Sequence, residues 1–329
     1  MAKFKVKNEI QKLSLDLHNG NVEKYSNEEA NEVLRQAIND ACGGTFTKNT
    51  FIDNKGKVFQ ILEDTLSIAT GYTLYERFED LAEIHDVALG DTIEFTIEDT
   101  DLFKISTISV GNRDIRRQKL YGKKLTVSVE KLAVKIYEDL DRFLAGRINW
   151  ANMIDRVASS FAHEIGIRIY NSVYSAYDSL TAPYQVAMSG TFDEAKLIDA
   201  IAHVEASTGK PAKVLGTKKS LAKITTAEVS DEMKNTRNQI GHYGVFKGTA
   251  LNVLPQGHKA GTTTFAVSDD FLIVIPDGEK IVKVILEGDV TVEESPQGNA
   301  RNDEAMEFFM ARKVGVATIT ANNYAIVRH

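Results

Sequence analysis

The sequence predicts an α+β protein organised around one unusually long helix, and three observations carry that expectation. Residues Asn149 to Ser179 keep apolar side chains in steps of three and four over about eight turns. Two stretches of apolar–polar alternation, Ile93 to Ile97 and Leu125 to Val129, bracket a charged excursion of about 27 residues, far longer than a tight hairpin needs. From Ile281 onward the apolar runs have strand length only, after a middle section in which helical and strand patterns alternate.

The helix comes first because it is the clearest element. Trp150, Met153, Ile154, Val157, Ala158, Phe161, Ala162, Ile165, Ile169, Val173 and Tyr177 form one stripe. The opposite face carries Asn152, Arg156, Ser159, His163, Glu164, Arg168 and Asn171. Asn149 is placed to cap its start, and Glu164 to Arg168 is an i, i+4 pair in the favourable orientation. At 1.5 Å per residue such a helix spans roughly 45 Å. No heptad continues past it, so a coiled coil is excluded.

Composition bounds the rest. The 329 residues are 43% hydrophobic and 26% charged, enough for a core in two or three modules. A net charge of −7 opposes a dedicated nucleic-acid binder, which needs a basic face. The single cysteine, Cys42, excludes an intrachain disulfide and a cysteine metal cage. The start, Met1 to Lys7, is basic but has no apolar h-region behind it, and no run approaches a membrane span. The expectation is a chain made in the cytoplasm, with no membrane partner.

Taken in order, residues 1 to 27 are lysine-rich and thin in apolar side chains, so they read either as a loose terminus or as an arm that orders on a neighbour. Ser26 with Glu29 forms a capping-box pattern for a helix ending at Gly43-Gly44. Val58 to Leu66, then Gly71, Tyr72, Tyr75 and Phe78, reads as a helix followed by a strand. Ala133 to Ala145 reads as a short helix leading into the long one. Pro183 marks a break, and Thr191 with Glu194 suggests a capping box opening a helix that Gly209-Lys210-Pro211 ends. Val214-Leu215 reads as a buried strand and Thr217 to Ile224 as a short helix. Ala227 to Gly248 reads as a long polar loop. The apolar runs Val253-Leu254, 265–267 and 271–275 follow, then 281–286, 290–292, 306–310, 314–319 and 324–327, with the late strands expected to pair in the sheet that the long helix covers.

The excursion between the two alternating strands has a polarised charge layout. Its outgoing limb carries Glu94, Glu98, Asp99 and Asp101, and its far part Arg113, Arg116, Arg117, Lys119, Lys123 and Lys124. Three readings stand: a solvated hairpin, a projecting arm whose basic tip meets an acidic patch on another copy, or a nucleic-acid contact weakened by the lack of interleaved aromatics beyond Tyr121.

Nothing in the chain assembles a catalytic set. The seven histidines, His18, His85, His163, His203, His242, His258 and His329, show no ligand spacing. His163 reads as a surface or interface residue. Gly216-Thr217-Lys218-Lys219-Ser220 lacks the first glycine of a phosphate loop and reads as a strand-to-helix turn. Asp99-Thr100-Asp101 lacks the glycine and glutamate of a calcium loop. The expectation is no enzyme, no metal and no cofactor.

The order of parts, together with three stretches, resembles the Hong Kong 97-like major capsid proteins of tailed bacteriophages. Gly241-His242-Tyr243-Gly244-Val245-Phe246-Lys247-Gly248-Thr249, leading to Val253 and Pro255, is similar to the family's axial loop and strand. Lys213 to Leu221 is similar to its strand and short helix, and Phe308 to Val327 to its closing strands. The resemblance covers nearly the whole chain. It implies an N-terminal arm with a short helix over 1–50, a first part of a peripheral domain over 51–92, an extended loop over 93–129 and the peripheral domain with its spine helix over 130–182. An axial α/β domain would span 183–276, and strands returning to the peripheral domain 277–329.

By that resemblance the chain would self-assemble through pentamers and hexamers into an icosahedral shell around double-stranded DNA. It would meet a portal and touch the packaged DNA non-specifically. The sequence departs from the pattern in having no long charged helical segment at its start. Scaffolding would then come from a separate protein, or the chain is a processed form, and Met1 favours the former. The subunit-contact residues expected are Arg113, Arg116, Arg117, Lys119, Lys123, Lys124, Glu94, Glu98, Asp99 and Asp101. An encapsulin-like cellular compartment is the alternative, and a soluble α/β enzyme with an accessory hairpin the third reading.

Overall fold

The computed structural model describes residues 27–91, 93–98, 103–110, 115, 117–118, 121–139, 149–188, 191–226, 229–294, 305–319 and 323–329. Helix α1 (Asn27–Ala41) buries Leu34 and Ile38 and stops where Gly43 and Gly44 adopt φ of 87° and 90°. The expected capping residue, Ser26, lies outside the described residues. Helix α2 (Lys48–Phe78) runs for 31 residues. Thr47 opens it with a reciprocal cap, its backbone N–H donating to the Thr50 hydroxyl at 2.8 Å while its own hydroxyl accepts from the Thr50 N–H at 3.3 Å.

The helix-then-strand expectation for 58–78 is therefore corrected: α2 passes unbroken through Gly56 and Gly71. Val58, Leu62, Leu66, Ala69, Thr73, Leu74 and Phe78 form a buried stripe at helical spacing, and tertiary burial outweighs the roughly 1 kcal/mol that each glycine costs. Its partner is the long helix read from the sequence, α3 (Trp150–Ala176), capped by the Asn149 side chain, which accepts from the Asn152 N–H at 2.9 Å. A 3₁₀ turn, Tyr177–Ser179, follows it. Where α2 and α3 cross, Gly166 lets the ring of Phe78 approach, and Phe78 also meets Tyr170 edge-on at 5.7 Å.

The helices lie on one face of a four-stranded sheet ordered β1-β10-β11-β4, with β1 (Ala82–Val87), β4 (Val129–Asp139), β10 (Val282–Glu294) and β11 (Ala305–Thr318). Phe308 of β11 meets Phe59 of α2 and Trp150 of α3, each edge-on at 6.2 Å. Arg312, buried on the same side, donates to the Ser67 carbonyl and to Asp86, each at 3.2 Å. The short helix expected from Ala133 is corrected over the described residues: β4 runs to Asp139, with Leu132, Val134 and Ile136 turned inward and Lys131, Ala133, Lys135 and Tyr137 exposed. Residues 140–148 lie outside the described set.

A second sheet has six strands in the order β5-β12-β9-β6-β8-β7. They are β5 (Gln185–Ala187), β6 (Ala212–Gly216), β7 (Val245–Phe246), β8 (Thr249–Val253), β9 (Phe271–Pro276) and β12 (Ala325–Arg328). Both faces are covered, and alternate residues sort between two cores. Leu215, Ile273, Ile275 and Ile326 join the core under α2 and α3. Val214, Leu272, Val274, Ala325 and Val327 join the core under α4 (Glu194–Thr208). Tyr174 of α3 stacks on Phe271 of β9 at 4.5 Å, so the long helix touches both sheets.

Three further expectations change. The cap of α4 is Asp193, whose carboxylate accepts from the N–H groups of Ala195 and Lys196, and not Thr191. The polar stretch 227–248 is not all loop. It holds α6 (Asp231–Ile240), capped by Ser230 and ended by Gly241 at φ 89°, after α5 (Lys218–Ala222). The late strands divide: β10 and β11 pair in the four-stranded sheet as expected, but β12 inserts between β5 and β9 of the other.

Candidate functional site

The charged excursion is mounted on a short two-stranded ladder. β2 (Glu94–Glu98) pairs with β3 (Tyr121–Thr126), with Phe95 opposite Leu125 and Thr96 opposite Lys124. One face of this ladder is turned to the body. There Phe95 lies 5.2 Å from the His85 ring of β1 and 5.7 Å beneath the Lys283 ammonium of β10. Lys283 in turn is ion-paired with Glu83, and His85 Nε2 lies 3.0 Å from the same carboxylate. Val127, just past the ladder, is buried against Gly315 of β11. A β-carbon at Gly315 would stand 2.8 Å from Val127 Cγ1 and 2.9 Å from the Ser128 carbonyl, so only glycine admits the chain here.

The outer face of the ladder carries Glu94 and Lys124, which form an ion pair at 2.5 Å. The carboxylate holds the Lys124 ammonium above the ordinary lysine range, chiefly through their hydrogen bond. Of the ten contact residues expected from the sequence, these two meet each other. Arg117 is exposed farther along the arm, and Lys123 and Glu98 lie in the ladder strands. Arg113, Arg116, Lys119, Asp99 and Asp101 fall outside the described residues.

Beyond the ladder a side chain, Gln118, ties the two limbs together among the described residues. Gln118 Oε1 accepts from the Lys104 N–H at 2.8 Å, and Gln118 Nε2 donates to the Lys104 carbonyl at 2.9 Å, replacing a backbone pair. The described part of the arm is covered with exposed apolar residues: Phe103, Ile105, Ile108, Val110 and Ile115, with Ile105 98% exposed. Sequence reasoning weighed the charges and passed over these, because their irregular spacing carries no periodic signal. Only the structure shows that none of the described residues of the same chain covers them. A row of large exposed apolar side chains on a projecting arm is the mark of a contact surface.

Other polar contacts among the described residues join elements of the body. His163 Nε2 is 2.7 Å from the His258 carbonyl, joining α3 to the 255–267 segment. Thr217, at the turn that faintly echoes a phosphate loop, caps α5 and donates to Asp269 at 2.6 Å. Burial raises the Asp269 carboxyl, but the Thr217 hydroxyl and Lys219 outweigh it and hold the carboxyl below its ordinary value. A cavity of about 480 Å³ under α6 is lined by Glu232, Met233, Thr236, Tyr243 and Lys247, and Lys247 is paired with Glu194. Among the described residues no group of His, Cys, Asp or Glu could hold a metal ion, and no helix is long and apolar enough to cross a membrane.

Comparison with known proteins gives the family and the fold. The model of the family described as SPbeta prophage-derived putative capsid protein YonB matches residues 7–328. No curated protein matches the chain. Among solved structures, the capsid of a native GTA particle is similar at TM-score 0.52, with 11% identity over 78% of this chain and 89% of that one. The mature capsid of bacteriophage PhiM1 is similar at TM-score 0.51, with 12% identity over 76% of this chain and 86% of that one. A satellite phage P4 procapsid including the size determination (Sid) protein gives 0.50, with 11% identity over 82% and 90%. Matched over nearly its whole length, and sharing the fold of phage capsids, the chain belongs to the family of the SPbeta prophage-derived capsid protein YonB, a capsid protein of a phage-type shell with the Hong Kong 97-like fold.

Proposed function

We propose that this chain is the major head protein of a tailed phage, and that copies of it close into an icosahedral shell around double-stranded DNA. The observation that carries the reading is the arm. Its exposed apolar row has no covering surface among the described residues of its own chain, and a second copy supplies one in a repeating shell. Contact is driven by the apolar row, while Arg113, Arg116, Arg117, Lys119 and Lys123 select partner and register against acidic surface, and Glu98, Asp99 and Asp101 on the other limb do so against basic surface. Glu94 and Lys124, already paired with each other, hold the arm's root.

In this reading residues 93–129 are the extended loop. The four-stranded sheet with α2 and α3 is the peripheral domain, and the six-stranded sheet with α4 to α6 is the axial domain at the centre of each pentamer and hexamer. Residues 1–50 form the N-terminal arm. Assembly takes place in the host cytoplasm, with a portal and a separate scaffolding protein as partners, and the shell's inner surface meets DNA without sequence preference.

Expression of the chain followed by negative-stain microscopy tests this. Closed angular shells of uniform diameter, which protect double-stranded DNA from nuclease when made with the phage's packaging components, are the expected result. A species that stays monomeric by light scattering under every assembly condition overturns it. Small shells filled with a protein cargo would point to a cellular compartment instead.

A further inference from the structure

At the root of the arm Glu83, His85 and Lys283 gather around the Phe95 ring. We propose that Phe95 is a positioning residue: with Val127 it forms a two-point mount that fixes the direction in which the arm leaves the body, and so the place where the arm meets the next copy. The inference rests on the assembly reading above for its consequence, but not for its geometry.

The mount spans three strands of the four-stranded sheet. At one point the Phe95 ring sits on His85 of β1 and under Lys283 of β10, and Glu83 holds both of those side chains from the same strand as His85. At the other, Val127 rests on the bare backbone of Gly315 in β11. One point of contact leaves a lever free to swing; two points on different strands leave it one direction. Every group in the first point is itself held. Lys283 and His85 share Glu83, and β1 and β10 are paired directly at Glu83↔Lys283 and His85↔Ile285.

The arm amplifies any error at its base. A limb of about ten residues reaches up to roughly 33 Å. A tilt of about 10° at the root then moves the far end by up to about 6 Å, more than a strand spacing. Ile105 and Val110 would miss a neighbour's surface by the width of a side chain.

Electron-spin distance measurements between labels at Lys104→Cys on the arm and Thr291→Cys on the exposed side of β10, in dilute unassembled protein with buried Cys42 changed to Ala, test the mount directly. With Phe95 present the expected distribution is single and narrow. Phe95→Ala should at least double its width, and Phe95→Tyr should keep it narrow. A Phe95→Ala distribution as narrow as the parent's overturns the proposal, and so does a broad one in the parent. Shell formation is scored separately. Phe95→Ala should give open or irregular assemblies at several-fold lower yield of closed shells, with rescue by Phe95→Tyr. Normal shells from Phe95→Ala would also count against the mount, whereas a parent that never forms shells but keeps a narrow distribution would count against the assembly reading alone.

Discussion

Gly166 occupies the crossing of α2 and α3, where a β-carbon would lie 2.6 Å from Phe78 Cζ. Alanine would favour the helix by about 1 kcal/mol in propensity, but overpacking a buried contact costs about 1–3 kcal/mol. The clash wins because Phe78 is itself buried and edge-on to Tyr170, leaving its ring nowhere to turn. Gly166→Ala should therefore lower the urea midpoint of unfolding, with an unchanged slope; a raised midpoint would show that the ring can move. Asp269 offers a second test at this scale. Its folded carboxyl titrates below the ordinary value, so between the folded and unfolded values the unfolded chain binds more protons. Its contribution is complete above the unfolded value near about pH 3.9 and is lost as pH falls through the folded one. Below about pH 4 the thermal midpoint of the unaltered protein should fall more steeply than that of Asp269→Asn. Parallel profiles would remove Asp269 from the account.

At the scale of elements the arm separates two kinds of contact. Ile105→Asp with Val110→Asp should leave the subunit folded, since both side chains are exposed, yet abolish shells at any salt concentration. Arg116→Glu with Arg117→Glu should impair assembly chiefly at low salt, where exposed charges are least screened. Shells from the first variant, seen by microscopy, would mean that the apolar row is not the contact; normal shells from the second would remove the docking role of the charges. The same scale explains which elements could be read in advance. α3 was legible because its cap, stripe and length agree. α2 was not, because Gly71 and the aromatic residues near it speak locally against a helix that only burial against α3 and β10 sustains. β4 was missed because Ala133 between Leu132 and Val134 blurs an alternation that its pairing with β11 settles. α6 has no buried residue, so it offered no stripe, and only its caps, Ser230 and Gly241, marked it. The apolar arm row was visible as letters but not as surface.

Across the whole molecule, both sheets are built from distant parts of the chain. β1 lies beside β10 and β4 beside β11, while β5, near residue 186, takes β12. The order of parts was legible because strands after residue 281 had to find earlier partners; which sheet each would choose was not, since β10, β11 and β12 each carry an apolar run that suits either core. The two cores meet through the six-stranded sheet, whose alternate residues face opposite ways, so strain at one core reaches the other through backbone that is buried on both sides.

The insertion of β12 between β5 and β9 also sets a clock. Until Ala325 to Arg328 have left the ribosome, β9 and β5 face a gap, and β1 waits likewise for residues 200 positions later, as Ala82 waits for Val282. Pairings so far apart in sequence close slowly and late. The arm, which needs β1, β10 and β11 beneath it, acquires its mount only after that closure. A growing chain thus has its contact row before it can aim it, and a subunit becomes competent to join its neighbours only once β11 has been made and paired.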